Sequence, residues 1–148
     1  MKHHCLNCES GNINLVKYLI EKGVKINKKN SEILTPFFFA CKSGNKNLIE
    51  YLIKHGVNIN EEINKKDNKG NTPLIIVTRK GKIDLVKYLV EHGADVNLSN
   101  DYRSTPLTKV CLNKDKEIVK YLLERGVDKD NNDIDDLEKI MMKMLLLE

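Results

Sequence analysis

Four stretches of the chain place apolar residues at the spacing of one helix face, and all four end in the same short phrase. In the third stretch these apolar positions are Ile83, Leu85, Val86, Leu89 and Val90. The recurring phrases are KYLIEKG at 17–23, EYLIKHG at 50–56, KYLVEHG at 87–93 and KYLLERG at 120–126. A closing glycine suits the left-handed position just past a helix end. The pattern therefore predicts four amphipathic helices of one design.

A second recurring phrase predicts a shorter helix before three of these four amphipathic helices. It begins with Thr-Pro at Thr35, Thr72 and Thr105. A threonine hydroxyl can accept a free N–H group at a helix start, and proline fits the first helical position. The segment ADVNLSNDYRS, residues 94–104, is rich in turn residues and too short for another helix, so a hairpin-like projecting loop is expected. One unit is helix, turn, antiparallel helix and loop.

The units repeat with a nearly constant period. The closing glycines Gly23, Gly56, Gly93 and Gly126 lie 33, 37 and 33 residues apart. The longer interval is a unit of 33 with four added residues, which we place at EEIN, residues 61–64. The insertion either adds a specific contact or is merely tolerated length.

The two phrases and their period resemble ankyrin repeats over residues 2 to about 129. The resemblance implies an all-α solenoid of stacked helix-turn-helix units with projecting β-hairpin-like loops. It divides residues 1–129 into repeats at about 1–29, 30–66, 67–99 and 100–129, followed by a C-terminal capping or docking helix at 130–148.

Some positions depart from the family pattern. The histidine usual after the Thr-Pro start is replaced by Phe38, Ile75 and Thr108, so we expect its hydrogen-bond ladder between repeats to be missing. The loop glycine, kept at Gly70, is replaced by Ile33 and Arg103. The glycine that ends the first helix, kept at Gly11, Gly44 and Gly81, becomes Lys114. We therefore expect repeat four to be somewhat looser.

The opening HHCLNC, residues 3–8, offers four soft metal ligands within six residues. The repeat frame aligns Cys8 with Cys41, Thr78 and Cys111, at a position where small residues let neighbouring helices approach closely. A free cysteine packs like a small hydrophobe. A structural zinc site usually joins two ligand pairs, and no second pair exists here. We favour packing and predict no metal, with zinc or redox chemistry of Cys5 and Cys8 as the alternative.

Composition excludes some classes of protein. The 148 residues are 41% hydrophobic and 31% charged, which is typical of a soluble globular chain. The net charge of +4 is mild, and nucleic-acid binding domains usually show a stronger basic stripe. The sequence has no apolar run that could cross a bilayer and no apolar signal-peptide core at its start. We expect no nucleic acid and no membrane as partner, and a cytoplasmic location, with a nuclear one possible.

No motif indicates catalysis or a cofactor. His55 and His92 precede closing glycines, where they should finish the helix end and interact with its dipole. The carboxylates are scattered, and no phosphate-binding glycine loop is present. We therefore expect no enzyme activity and no cofactor.

The tyrosines fall into two groups. One repeat position of the second helix holds Tyr18, Tyr51, Tyr88 and Tyr121, for which we favour a stack of packed rings with hydroxyls at the rim. Tyr102 lies in a loop, outside this line, where tyrosine is typical of an interface anchor.

The segment after repeat four breaks the pattern. Residues 128–138 carry six acids against one lysine, and the residues after them form a methionine-rich apolar stripe. A terminal helix that covers the end of repeat four is the favoured interpretation. The alternative is a docking helix, because methionine adapts to varied surfaces and Met142, Leu146 and Leu147 exceed one stripe.

The resemblance implies a protein–protein interaction scaffold that is monomeric and binds through loop tips and the concave face of the first helices. The positions that this assigns to partner binding are Lys42, Ser43, Lys69, Asn71, Arg79, Lys80, Asp101, Tyr102, Arg103, Leu112 and Asn113. The middle of this surface is basic, so we expect a partner protein with an acidic or mixed surface, and Tyr102 and Arg79 as anchors. The alternative function is an adaptor that docks a larger assembly through its C-terminal helix.

Overall fold

The computed structural model describes residues 13–23, 35–126, 143, 144 and 147. These residues are helical or lie in turns, and no strand occurs among them, so the predicted all-α class is confirmed. The helices are α1 Ile13–Glu21, α2 Pro36–Ser43, α3 Lys46–Lys54, α4 Ile59–Glu62, α5 Pro73–Arg79, α6 Ile83–Glu91, α7 Pro106–Asn113 and α8 Lys116–Glu124. Helices α2, α5 and α7 are first helices of their repeats, and α1, α3, α6 and α8 are second helices.

The first helices start as the Thr-Pro phrase predicts. The hydroxyls of Thr35, Thr72 and Thr105 each accept the backbone N–H group three residues further on, and proline follows each threonine. Such a cap is worth about 1 kcal/mol, because it satisfies one of the free N–H groups of the first turn. The Thr-Pro phrase therefore fixes where each first helix begins.

The first helices also end in one way, although the residues differ. Gly44 and Gly81 have φ angles of 71° and 68°, and Lys114 takes the same left-handed conformation with φ 58°. This conformation costs a residue with a β-carbon roughly 1–2 kcal/mol. The repeat geometry imposes it at Lys114 even though the glycine is missing.

The helices pack in two layers around one core. First helices contact each other in order, α2 with α5 and α5 with α7, and α6 contacts α8 in the second layer. The same repeat position is buried in each unit, as at Leu52, Leu89 and Leu122. Replacing such a leucine with alanine costs about 2–5 kcal/mol, because the cavity is only partly refilled. The core is thus one contiguous stripe built from equivalent positions.

The predicted packing role of the small mid-helix position is confirmed in repeats two to four. Cys41, Thr78 and Cys111 are all buried. Thr78 also donates its hydroxyl hydrogen to the carbonyl oxygen of Leu74, so its polar atom is satisfied inside the helix. The equivalent Cys8, with the rest of HHCLNC, lies outside the described residues, and its role stays a prediction.

The insertion is placed differently from the expectation at 61–64. Ile63 is buried like Val96, and the side chains of Asn64 and Asn97 donate to Gly93 and Gly126 in the following repeats. Ile63 and Asn64 therefore occupy regular repeat positions, and the extra residues lie before them, around the short helix α4. The sequence is ambiguous because both Ile59-Asn60 and Ile63-Asn64 match the closing phrase.

The insertion makes an internal contact. Glu62 at the end of α4 is buried, and its carboxylate accepts a hydrogen bond from the Thr35 hydroxyl and pairs with Lys65. The extra residues thus return to the start of the first helix of their own repeat. The insertion therefore makes a specific contact within the chain, and whether it also contacts a partner stays a prediction.

Candidate partner-binding surface

The loop before repeat three is a tight turn held by one carboxylate. Oδ1 of Asp67 accepts the N–H groups of Lys69 at 2.9 Å and of Asn71 at 2.8 Å. The backbone N–H of Asp67 also donates to the carbonyl of Asn71 at 3.0 Å, which closes the turn. Lys69 is exposed at the tip, as predicted.

The loop before repeat four copies this turn with an amide in place of the carboxylate. Oδ1 of Asn100 accepts the N–H groups of Tyr102 at 3.0 Å and of Ser104 at 2.9 Å. Arg103 completes the turn in a left-handed conformation, with φ 58°, where repeat three has Gly70 at φ 76°. The turn therefore holds the backbone of Tyr102 in place, and the residue is 71% exposed.

A chain of side-chain amides joins the two turns. Nδ2 of Asn100 donates to Oδ1 of Asn71 at 2.9 Å, and Nδ2 of Asn71 donates to Oδ2 of Asp67 at 3.1 Å. The backbone N–H of Asp101 adds a bond of 3.0 Å to the carbonyl of Lys69. Phe38 and Ile75 stand where the family has histidine and have no side-chain hydrogen-bonding group. The amide chain connects repeats three and four in a different place.

The prediction that Asn71 is an exposed partner contact is wrong. Asn71 is only 6% exposed, and both ends of its amide are used within the chain. An asparagine in a loop looks like a surface residue in the sequence. The signal that was missed is Asn100 itself, which lies 29 residues further on and supplies the matching donor.

The remaining predicted contacts lie at the ends of the first helices. Lys42, Arg79 and Leu112 occupy one repeat position in the last turns of α2, α5 and α7, and all three are exposed. The next position holds Ser43, Lys80 and Asn113. Ser43 is half-buried and donates to the carbonyl of Ala40, whereas Asn113 donates from Nδ2 to the carbonyl of Arg79 at 2.7 Å. Ser43 and Asn113 therefore also serve the fold, and Lys80 remains exposed.

The positive charge of this edge is concentrated between repeats two and three. A β-carbon added to Gly44 would lie 3.5 Å from Cε of Lys82 and 3.9 Å from Cδ of Lys80, so both lysines lean across the turn of repeat two. Among the described residues the ion pairs are Lys46–Glu50, Lys65–Glu62 and Lys87–Glu117. None of them neutralises Arg79, Lys80 or Lys82.

Lys82 was not predicted as a contact residue. It stands at the N-cap of α6 and makes no side-chain cap, whereas Asn45 and Asp115 cap α3 and α8 at the equivalent position. A lysine where the other repeats place a capping residue is the sequence signal that could have identified it.

A family profile that describes three copies of the ankyrin repeat matches residues 3–100 and again residues 60–133. The chain belongs to the ankyrin repeat family. Ankyrin repeats are in general protein–protein interaction modules and typically act as non-enzymatic scaffolds. No curated protein matches the chain.

The second helices of the ankyrin repeats carry the four tyrosines of one repeat position. We expected their rings to stack on one another, but they do not. Instead, Nζ of Lys17 lies 5.2 Å from the ring centre of Tyr51, and Nζ of Lys87 lies 5.8 Å from that of Tyr121. Each ammonium thus bridges one repeat to the ring of the next, a contact worth about 0.5–1 kcal/mol at exposed sites. The hydroxyl of Tyr121 is buried without a hydrogen-bond partner among the described residues, so it does not lie at the rim.

The two histidines of the second helices act at the helix ends, as predicted. Nδ1 of His55 donates to the carbonyl of Tyr51 at 2.8 Å, and Nδ1 of His92 donates to that of Tyr88 at 2.7 Å. Each ring also lies against the tyrosine to which it is bonded, with ring centres 4.0 Å and 4.2 Å apart. These histidines satisfy last-turn carbonyls, a structural role.

The buried cysteines of the ankyrin core are poor nucleophiles and poor metal ligands. Burial raises the pKa of the Cys41 thiol, and the nearby Glu62 carboxylate raises it further; burial also raises the pKa of Cys111. Nucleophilic attack and metal binding both require the thiolate. Within residues 13–23 and 35–126 no group of three or more His, Cys, Asp or Glu side chains could hold a metal ion. In the same part of the chain no helix is long and apolar enough to span a membrane.

Proposed function

We propose that this ankyrin repeat protein is a scaffold that binds one partner protein through the turn at 100–104 and the ends of its first helices. The observation that carries the proposal is Tyr102, a residue that is 71% exposed on a turn that its own backbone and Asn100 hold in place. A rigidly presented tyrosine costs little conformational entropy on binding, and tyrosine is enriched among residues that dominate interfaces.

The cationic group formed by Arg79, Lys80 and Lys82 supports a partner with an acidic or mixed surface. Charges of one sign raise the association rate with an oppositely charged partner and disfavour others. The predicted contacts that agree with this placement by their exposure are Lys42, Lys69, Arg79, Lys80, Asp101, Tyr102, Arg103, Leu112 and Asn113. We propose further that the scaffold is monomeric and works in the cytoplasm or nucleus.

Site-specific photo-crosslinking tests this surface. A photoreactive phenylalanine analogue, which keeps an aromatic ring at the anchor, replaces Tyr102 in one variant and Lys120, exposed on the second helix α8, in a control variant. Both are irradiated in cells of the source organism. A defined crosslinked protein from position 102 that is absent from position 120 is the expected result. The same products from both positions would contradict the placement of the site.

A second candidate function is an adaptor that docks a larger assembly through residues 130–148. Leu147 is 85% exposed, which leaves a large apolar side chain open to a partner. Deleting residues 130–148 discriminates the two roles of this segment. A cap would lose stability on deletion, whereas a docking helix would lose a bound protein while the repeats stay folded.

A further inference from the structure

One repeat position forms a row of exposed side chains across three repeats, and the row combines cationic and apolar side chains. The row consists of Lys42, Arg79 and Leu112 and is called the end row below. Each member lies in the last turn of a first helix. Because α2 contacts α5 and α5 contacts α7, successive members belong to neighbouring helices.

The packing distance of neighbouring first helices suits a polypeptide in the polyproline II conformation. Packed helices lie about 8–10 Å apart. A polyproline II segment has three residues per turn and advances about 3.1 Å per residue, so every third side chain lies on the same face, about 9 Å further along. A segment that crosses the first helices at a right angle therefore offers one residue in three to each member of the row.

The row is polar at one end and apolar at the other. Lys42 and Arg79 are cations, and the lysines that lean over Gly44 add charge between them. Leu112 is 72% exposed at the third position. Asp115 also lies at this edge: its Oδ2 would be 3.7 Å from a β-carbon added to Gly81, while its Oδ1 caps α8 by accepting the N–H of Ile118 at 3.2 Å.

This pattern selects a protein segment over other anions. A nucleic acid backbone presents a negative charge at every nucleotide and has no apolar end for Leu112 to contact. A polypeptide can place two acids and one apolar side chain at the required intervals.

We infer that the end row binds a segment of the partner protein in the polyproline II conformation, in which two acidic residues and one apolar residue lie at intervals of three. The acids face Lys42 and Arg79, and the apolar residue faces Leu112. This inference rests on the proposed scaffold function and names the partner chemistry of its first-helix surface.

Synthetic heptapeptides test the spacing on the full chain. The matched probe has glutamate at its first and fourth positions, leucine at its seventh and serine elsewhere, and a second version reverses this order to cover both chain directions. The control peptide has the same composition with the second glutamate moved to position three. Binding is followed by chemical-shift changes of the labelled protein at low salt, with the Arg79→Ala variant and the charge-matched Lys54→Ala variant beside it.

We expect one matched peptide to bind at least about fivefold tighter than the control, since one or two exposed ion pairs are worth about 1 kcal/mol. Arg79→Ala should weaken that peptide and Lys54→Ala should not. Replacing the peptide leucine with serine should weaken binding to the wild type but not to Leu112→Ala. Equal binding of matched and control peptides would overturn the inference, because the row would then act only as diffuse positive charge. No binding of either would overturn it too.

The proposed function can be tested separately from this inference. If peptide spacing proves irrelevant while crosslinking from position 102 still captures a partner, the inference fails and the scaffold function stands.

Discussion

The side-chain amide of Asn100 donates a 2.9 Å hydrogen bond to the side-chain oxygen of Asn71, and both residues are buried. Asn100 also holds the turn that presents Tyr102, through its Oδ1. The same side-chain amide therefore connects two neighbouring repeats and holds the turn that carries the proposed anchor.

Asn100→Ala should lower the free energy of unfolding by about 1–3 kcal/mol, because the buried Oδ1 of Asn71 loses its donor and the turn loses its acceptor. Urea denaturation of the variant measures this change. The control is Asn60→Ala in the exposed part of α4, which should change stability by less than about 0.5 kcal/mol. An Asn100→Ala variant as stable as the control would show that the amide chain does not stabilise the fold.

Thr35 contacts the inserted helix α4, and this contact distinguishes it from the other capping threonine, Thr72. Thr35 and Thr72 both cap a first helix and are both buried, but only Thr35 donates to a buried carboxylate, that of Glu62. Thr35→Val should therefore cost about 1–3 kcal/mol more than Thr72→Val in urea denaturation, since hydrogen bonds to charged groups are the stronger ones. Equal losses would mean that the insertion gains nothing from this contact.

Lys114→Gly should stabilise the protein by about 0.5–1 kcal/mol, because it relieves the left-handed backbone strain of a residue with a β-carbon. The gain is measured as a shift of the urea midpoint at constant slope. The opposite substitution, Gly81→Lys, tests the same position in repeat three and should destabilise. A destabilised Lys114→Gly variant would show that the lysine side chain is itself needed there.

The buried thiol of Cys41 predicts a loss of stability at alkaline pH. Burial raises its pKa above the unfolded value of about 8.5, so the neutral thiol is favoured in the folded state. This contribution is fully present below the unfolded pKa and is lost as the pH rises above it, by up to about 1.4 kcal/mol per pH unit. Cys41→Ala should remove this part of the pH dependence between about pH 9 and 10. Parallel stability profiles of wild type and variant would contradict this role of the thiol.

Much of the fold could be predicted because each repeat carries its own local signals. Thr-Pro starts, closing glycines and helical apolar spacing act within a few residues, and four copies reveal a shared frame. The placement of the insertion could not be predicted, because Ile59-Asn60 and Ile63-Asn64 are equivalent as sequence and only contacts across repeats distinguish them. Asn71 was misjudged for the same reason: its burial depends on Asn100 in the next unit. The exposure of Tyr102 and Arg79 could be predicted from their positions in the repeat. Lys82 was not predicted, because its place beside the turn of repeat two depends on how far its side chain extends.

The central claim is that the first-helix surface, and not the second-helix surface, binds a partner protein. The most direct test compares quantitative capture from the source organism by three folded proteins: wild type, Tyr102→Ala with Arg79→Ala and Lys80→Ala, and a control with the exposed second-helix lysines Lys54→Ala and Lys120→Ala. The account predicts a protein that wild type and control retain equally and that the first-helix variant loses by at least about tenfold, as expected when anchors worth over 1 kcal/mol are removed. Equal retention by all three proteins would contradict it.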